Sequence, residues 1–238
     1  MSNVQTFDDT TLLAEAAAKQ TVETLQNAIN TYGTATWVLA GGSTPLLGYK
    51  IIAANHRDSL DWSKVTVIMG DERIGPLDGA DSNWYAIDQI LGDLPTVKLR
   101  PQSDKTAEYA ATDYEQQLMS LPKGDGNIPR LDLVWLGIGA DGHTLSLFPL
   151  HNSMLPSGGL IIAMHDSPKP PADRISLTLR ALQGAENVIF LAAGADKQTA
   201  VSQAIAGGHS PAGLAATITA THDGKVTWLV DKAAAPTD

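Results

Sequence analysis

The stretch that decides the fold is Leu131-Asp132-Leu133-Val134-Trp135-Leu136-Gly137-Ile138-Gly139-Ala140-Asp141-Gly142-His143. Its first six residues form an apolar, strand-like run, and the rest is a glycine-rich turn that ends in a histidine. Glycine tolerates positive φ and carries no side chain, so such a turn suits sharp bends and close approach of a ligand. A histidine on this turn can exchange a proton near neutral pH. The stretch therefore predicts a strand followed by a functional loop, with His143 as a general base.

The same glycines, Gly137-x-Gly139-x-x-Gly142, also match the dinucleotide-binding fingerprint, and Asp166 follows at about the right distance for a ribose carboxylate. That fingerprint should open a helix long enough to pack back on the sheet. Pro149 follows soon after the last glycine, and proline costs roughly 3 kcal/mol inside a helix. We therefore favour a substrate loop over a dinucleotide site.

Apolar, strand-like runs alternate with helix-like stretches along the whole chain. The strand-like runs are residues 36–40, 65–69, 131–136, 160–164, 188–192 and 226–230, and the helix-like stretches are residues 10–30, 45–54, 107–120 and 196–206. Such alternation is typical of βαβ units. We predict a single α/β domain over residues 1–238, with a mainly parallel twisted sheet and helices on both faces, of the Rossmann-like type.

Composition limits the possible partners. The chain has 238 residues and a net charge of −10, which argues against nucleic acid, since its binders carry basic patches. With no cysteine, disulfides and thiolate metal ligands are excluded. Histidines 56, 151, 165, 209 and 222 show no metal-ligand spacing, and we expect no metal.

The first residues and the hydropathy pattern bear on location. The N-terminus lacks the basic and apolar regions of a secretory signal, and no apolar run approaches the ~20 residues of a membrane span. We expect a cytoplasmic protein with no membrane partner. The sequence leaves the oligomeric state open, with a monomer as the working assumption.

Polar or glycine-bearing turns follow most of the predicted strands. They are residues 41–43, 70–73, 137–143, 165–166 and 194–197. Ligands of open α/β sheets bind outside the carboxyl ends of the strands. We therefore predict that these turns converge on one crevice.

Ala40-Gly41-Gly42-Ser43-Thr44-Pro45 combines a strand end, two glycines, a capping residue and a proline suited to the first helical position. The open amides and the positive end of the helix dipole would form an anion cradle at Gly42, Ser43 and Thr44. The alternative is an ordinary helix cap without a ligand. The motif lacks the lysine of a Walker loop, which disfavours nucleoside triphosphates.

Three cations stand beside these turns. Arg73 follows Asp71 and Glu72, which are candidates to orient it or to bind sugar hydroxyls, while its planar fork suits phosphate or carboxylate. Arg174 begins a strand-like run after a proline-rich loop, and Lys197 stands at a helix start, where a cation is mismatched to the dipole unless an anion is near. The alternative for Arg73 is a solvated turn with a surface ion pair, and for Arg174 and Lys197 it is a solvated surface cation.

Four blocks, taken together, resemble the 6-phosphogluconolactonase family. They are Ala40-Gly-Gly-Ser-Thr-Pro45, Asp71-Glu-Arg73 with Asp81-Ser-Asn83, the stretch Leu136 to Pro149 around Gly-x-Asp-Gly-His, and Lys169-Pro-Pro-x-x-Arg174-Ile-Ser-Leu-Thr178. The resemblance runs in order from about residue 7 to Asp231. The chain departs from the family pattern at Gly75, where an apolar residue usually precedes Pro76.

The resemblance implies the activity and the roles of the matching residues. The activity is hydrolysis of 6-phospho-D-glucono-1,5-lactone to 6-phosphogluconate in the oxidative pentose phosphate pathway, without metal or organic cofactor. His143 would activate water and then protonate the leaving ring oxygen, with Asp141 positioning it. Phosphate binding and polarisation of the lactone would fall to the remaining matched residues, which are Gly42, Ser43, Thr44, Asp71, Arg73, Arg174 and Lys197.

Two other functions of related proteins are alternatives. Glucosamine-6-phosphate deaminases share the glycine motifs, but their histidine block continues Phe-Asn-Glu-Pro and their acidic turn reads Asp-Glu-Tyr, whereas this chain has Leu-Ser-Leu-Phe-Pro and Asp-Glu-Arg. Sugar-phosphate sensor domains of transcription regulators use a related fold without catalysis and carry a helix-turn-helix, which we do not expect in this chain. The retained His143 favours chemistry over sensing.

Overall fold

Seven strands of the described chain pair into one parallel sheet, and five of them correspond to predicted apolar runs. The computed structural model describes residues 3–236. The strands are β1 (Asn3–Phe7), β2 (Ala35–Leu39), β3 (Val65–Met69), β4 (Asp71–Arg73), β5 (Val97–Leu99), β6 (Leu133–Gly137), β7 (Ile161–Met164), β8 (Arg174–Leu177), β9 (Asn187–Ala192) and β10 (Lys225–Asp231). The seven-stranded sheet has the order β1-β10-β9-β6-β2-β3-β5, and its pairs are parallel. The predicted α/β class is confirmed.

A second, three-stranded antiparallel sheet has the order β4-β8-β7. Residues 160–164 were expected in the main sheet and residues 71–73 in a turn, and both expectations were wrong. Asp71–Arg73 forms a strand because it pairs with Arg174–Ser176, more than 100 residues later in the chain. Pairing over such a distance leaves no local signal in three residues.

Six α-helices occur within residues 3–236. They are α1 (Thr10–Tyr32), α2 (Ser43–Asn55), α3 (Asn83–Leu91), α4 (Ala107–Met119), α5 (Gln198–Ile205) and α6 (Pro211–Thr221). Four of them agree with the predicted stretches to within a few residues, whereas α3 and α6 were not predicted. The helix expected from a dinucleotide fingerprint is missing, since no helix occurs between Gly137 and His151 in the described chain. None of the described helices combines the length and the apolar character of a membrane span.

Two buried tyrosines tie helices to the strand ends that form the crevice. The hydroxyl of Tyr49 on α2 accepts from the amide of Ala40 (2.9 Å) and donates to its carbonyl (3.0 Å). Tyr114 on α4 makes the same pair of bonds with Met69, at 2.6 and 3.1 Å. Burial raises the pKa of both phenols. These bonds satisfy backbone groups at the ends of β2 and β3, and so fix where the following turns begin.

An aromatic cluster packs around β2 and β6, the strands whose ends lead into the crevice. Trp37 of β2 meets Trp135 of β6 edge to face, with ring centroids 5.2 Å apart. Tyr49 stacks on Trp135 at 4.9 Å. Such pairs add about 0.5–1.5 kcal/mol each beyond the area that they bury. The strand ends therefore rest on a rigid base, which suits a site that must hold its geometry.

Candidate active site

The turns after β2, β3, β6 and β9 converge on one crevice, as predicted. The register aligns their ends, because Leu39 pairs with Met69 and Gly137 with Leu191. The crevice encloses about 270 Å³. Its lining includes Gly42, Ser43, Thr44, Asp71, Arg73, Asn83, His143, Arg174 and Lys197. A groove of about 410 Å³ lies at the other end of the strands, where β9 and β10 begin, but no histidine is among the described residues that line it.

The N-terminus of α2 presents open amides to the crevice. Gly42 has φ +104°, which favours glycine, and it occupies the N-cap position. A serine or threonine cap with Pro45 at the first helical position was predicted, but the helix already begins at Ser43, and in the described chain no side chain caps it. The first amides of a helix have no partner within it. The amides of Ser43 and Thr44 are therefore available to an anion, supported by the helix dipole.

His143 and Asp141 form a dyad within the turn. Nδ1 of His143 lies 2.5 Å from Oδ1 of Asp141, so we assign the ring hydrogen to Nδ1 and the lone pair to Nε2. His143 lines the crevice, while Asp141 contacts its ring and lies outside the lining. The His143 ring also packs on Phe148, with centroids 4.8 Å apart. These contacts hold the imidazole in one orientation.

The protonation states of the dyad follow from its surroundings. Burial lowers the pKa of His143, and the bond and charge of Asp141 oppose this only in part. Burial raises the pKa of Asp141, but the bond to His143 and the nearby charges outweigh it and bring the pKa to about 2. At neutral pH the pair is a carboxylate beside a neutral imidazole, which is the form that accepts a proton.

Asp71 and Arg174 are joined by a buried serine that the sequence analysis did not single out. Ser146 Oγ donates to Asp71 Oδ2 (2.6 Å), and Arg174 Nη1 lies 3.3 Å from the same hydroxyl. Arg174 Nη1 is also 4.0 Å from Asp71 Oδ2. The cluster links β4, β8 and the loop after His143. It fixes Asp71 at the wall of the crevice.

Arg174 is committed mainly to the protein. Its Nε donates to the carbonyl of Pro171 (3.0 Å), and Nη2 donates to those of Lys169 (2.9 Å) and Pro170 (3.1 Å). Its side chain is 5% exposed. Because Nε and Nη2 are bonded to these carbonyls, the guanidinium group presents only its Nη1 edge and its positive charge to the crevice.

Arg73 is held in place while part of its donor set stays unused. Nη1 donates to the carbonyl of Asp81 (2.8 Å), and Nε is buried without a hydrogen-bond partner among the described residues. The unusual Gly75 donates its amide to Ser103 (2.8 Å), so the turn after Arg73 is also anchored. A buried guanidinium nitrogen without a partner is the arrangement that an anionic ligand would complete.

Lys197 lies in a short 3₁₀ turn that precedes α5, rather than in the helix itself. Its Nζ lies 3.0 Å from Asp196 Oδ2, a carboxylate that is 64% exposed. The negative charge of Asp196 partly offsets the unfavourable interaction between the Lys197 ammonium and the positive end of the helix dipole. Lys197 still lines the crevice, where it faces the same space as Arg73.

Glu72 has a structural function, in contrast to the sugar-binding option considered from the sequence. Its carboxylate is buried and accepts from the amides of Arg73 (2.8 Å), Asn83 (2.8 Å) and Trp84 (2.7 Å). It thus caps α3. Burial raises its pKa, although the three amides oppose that shift.

One predicted part of the crevice lies elsewhere. The turn of His165 was expected among the converging turns, but β7 belongs to the small sheet, and His165 pairs with Glu108 (2.6 Å) and Asp173 (3.1 Å). Lys169, quoted in the sequence but given no function, lies against the dyad. Within residues 3–236, no group of three or more histidine, aspartate or glutamate residues could hold a metal ion.

Comparison with known proteins gives a consistent picture. The family described as glucosamine-6-phosphate isomerases/6-phosphogluconolactonase matches residues 8–228. A 6-phosphogluconolactonase of Streptomyces coelicolor is 37% identical, over 95% of this chain and 91% of its own. One from Mycobacterium tuberculosis is 34% identical, over 98% of this chain and 97% of its own.

A solved structure agrees over the whole fold. The 6-phosphogluconolactonase of Trypanosoma brucei superimposes with a TM-score of 0.84 at 29% identity, covering 98% of this chain and 97% of its own. The likeness thus includes the crevice and the strands that carry it.

Proposed function

Because the chain belongs to the family of glucosamine-6-phosphate isomerases and 6-phosphogluconolactonases, we propose that it hydrolyses 6-phospho-D-glucono-1,5-lactone to 6-phosphogluconate. The reaction is a step of the oxidative pentose phosphate pathway. The observation that carries the proposal is a neutral histidine, held by an ionised aspartate, in a crevice that also contains three cations. This combination suits a base-catalysed reaction on an anionic substrate.

His143 supplies the proton transfers. Its Nε2 takes a proton from water as the water oxygen bonds to the lactone carbonyl carbon, and the carbonyl becomes an oxyanion. When the oxyanion collapses, the bond to the ring oxygen breaks and Nε2 returns the proton to that oxygen. A lactone is an activated ester, so general-base catalysis worth about 10²–10⁴-fold is an adequate chemical contribution.

The cationic side of the crevice binds the phosphate. The amides of Ser43 and Thr44, the free Nε of Arg73 and the ammonium of Lys197 supply hydrogen-bond donors and positive charge. Binding energy gained at the phosphate orients the distant carbonyl toward His143. Arg174 adds positive charge near the developing oxyanion, and Asp71 accepts a hydrogen bond from a sugar hydroxyl.

The deaminase alternative lacks a carboxylate in the right place. Counting back from Pro149, the glutamate of the deaminase block Phe-Asn-Glu-Pro falls at Phe148, whose ring packs on His143. Glu72 is buried and occupied with the amides that begin α3. Neither position offers the additional acid–base group that sugar isomerisation needs.

The product of the reaction tests the proposed function against this alternative. The purified protein should convert freshly generated 6-phosphogluconolactone into a product heavier by one water, faster than the spontaneous reaction. It should release no ammonia from glucosamine 6-phosphate. Ammonia release without lactone hydrolysis would replace the proposal with the deaminase.

The pH dependence should follow the neutral form of His143. Burial lowers its pKa, so the base stays unprotonated to below the ordinary value of about 6.5. We expect kcat/KM to fall as the pH drops through a midpoint below that value. The substrate phosphate itself titrates near about 6. The midpoint of the fall in kcat/KM is therefore compared with the pKa of the His143 ring measured by NMR. A midpoint that differs from this pKa would contradict the assignment of His143 as the general base.

Removing the charge of Arg73 should weaken substrate binding. A hydrogen bond to a charged group is worth about 1.5–3 kcal/mol, so Arg73→Met should raise KM by roughly 10–100-fold with a smaller change in kcat. Inorganic phosphate should also inhibit the variant less. Arg57→Met, which removes an exposed cation paired with Asp93 beyond the end of α2, is the matched control. Equal KM values in the two variants would place the phosphate elsewhere.

A further inference from the structure

Lys169 lies against the dyad of His143 and Asp141. Its Nζ is 3.5 Å from Asp141 Oδ2 and 3.3 Å from His143 Nδ1. Asp141 therefore shares its two oxygens, with Oδ1 on the imidazole and Oδ2 toward the ammonium. Lys169 is not among the residues that line the crevice. Its ammonium contacts both members of the dyad, which points to an effect through His143.

The backbone that carries Lys169 is anchored from several sides. Its carbonyl accepts from Ser167 Oγ (2.8 Å) and from Arg174 Nη2 (2.9 Å). Its amide donates to Ser167 Oγ (3.3 Å). Arg174 also binds the next two carbonyls, and its own side chain is almost completely buried. The side chain of an ordinary surface lysine is mobile, and its ion pairs contribute little to stability. The backbone of Lys169, in contrast, is held in place beside His143.

We propose that Lys169 is a positioning residue for the hydrolytic step, whose ammonium group holds Asp141 on its bond to His143 and keeps the imidazole free to accept a proton from water. The inference rests on the proposed function, since it concerns the same base. A carboxylate alone beside an imidazole favours the ion pair, in which the histidine is already protonated. A third, positive group balances the carboxylate, so the neutral imidazole persists.

The charges that face His143 come from three elements. Asp141 lies on its own turn, Lys169 on the loop before β8, and Asp71 on β4. Both carboxylates favour the imidazolium, and Lys169 opposes it, in the same direction as burial. The lysine is the one group of these three whose removal should raise the pKa of His143.

The test is an NMR titration of the ring nitrogens, with Lys169→Met, Lys169→Arg and wild-type protein. Lys169→Met should raise the pKa of His143 by at least about half a pH unit, as expected for a charge about 4 Å away even in bulk water. Lys169→Arg should keep it near the wild-type value. His143→Gln identifies the signal, and Lys64→Met removes a cation paired with Asp61 at the opposite edge of the sheet as a control.

Kinetics provide the second readout. In Lys169→Met the acidic limb of kcat/KM should move up by the same amount, and kcat should fall about tenfold with KM changed less than threefold. A folded Lys169→Met protein with an unshifted His143 titration would overturn the inference. So would a lower kcat with an unshifted limb. The titration can be measured without turnover. If the wild-type protein had no lactonase activity, that result would therefore refute the proposed function but not the inference about Lys169 and His143.

Discussion

His143→Gln should lower kcat for hydrolysis of 6-phosphogluconolactone by about 10²–10⁴-fold, with KM nearly unchanged. Glutamine keeps a polar side chain of similar length, but it has no lone pair basic enough to take a proton from water. The phosphate-binding groups lie on α2, β4 and the turn after β9, so the substrate should still bind. The measurement is the rate of acid release above the spontaneous rate.

The control for this variant is His222→Gln. His222 is exposed at the end of α6, where its Nδ1 lies 2.9 Å from the carbonyl of Ile218. We expect wild-type kcat from it. Circular dichroism and thermal unfolding establish that both proteins are folded. If folded His143→Gln kept wild-type kcat, the lactonase activity would need another base.

Gly139→Ala should have an effect of similar size, because the turn leaves no room for a Cβ atom. A methyl group at this position would overlap Nδ1 and Cε1 of His143 and Oδ1 of Asp141. The backbone of the turn is closed by bonds from Gly139 to the carbonyl of His143 and from Gly142 to that of Gly139, both 2.8 Å. The imidazole must therefore move, and a displacement of about 1 Å can cost 10²-fold in rate.

Gly75→Ala is the matched control for the added methyl group. No atom lies within 4 Å of the position that its Cβ would take. Activity should be unchanged, and a lower entropy of the unfolded chain should make the protein more stable by up to about 1 kcal/mol. The assay compares kcat and the His143–Asp141 NMR signals of both variants. Equal activity of the two would show that the His143 geometry has more freedom than the structure indicates.

The central strands of the main sheet could be predicted from the sequence because they are buried on both faces. Residues 65–69, for example, read as an apolar run between polar segments, and β3 has those bounds. The edge strands β1 and β5 could not be found in this way, since both include exposed residues and pairing with β10 and β3 supplies their structure. Helix α6 was missed because alanine, glycine and threonine on all sides give it little helical periodicity.

The residues around the crevice could be predicted as candidates, but the contacts between their side chains could not. Glycine turns after strands and a single histidine among them are local signals, and those turns do meet. That Glu72 caps a helix while its neighbour Asp71 lines the crevice depends on the pairing of β4 with β8. That Lys169 reaches the dyad depends on the carbonyls that Arg174 holds. Such long-range contacts have no periodicity to detect.

The most direct test of the central claim compares two substrates in one assay. Acid release is followed for wild-type protein with freshly generated 6-phosphogluconolactone and with the unphosphorylated lactone, each against its spontaneous rate at the same pH. We predict a large acceleration with the phosphorylated substrate and a much lower kcat/KM without the phosphate. Hydrolysis of the phosphorylated lactone at no more than the spontaneous rate would contradict the account.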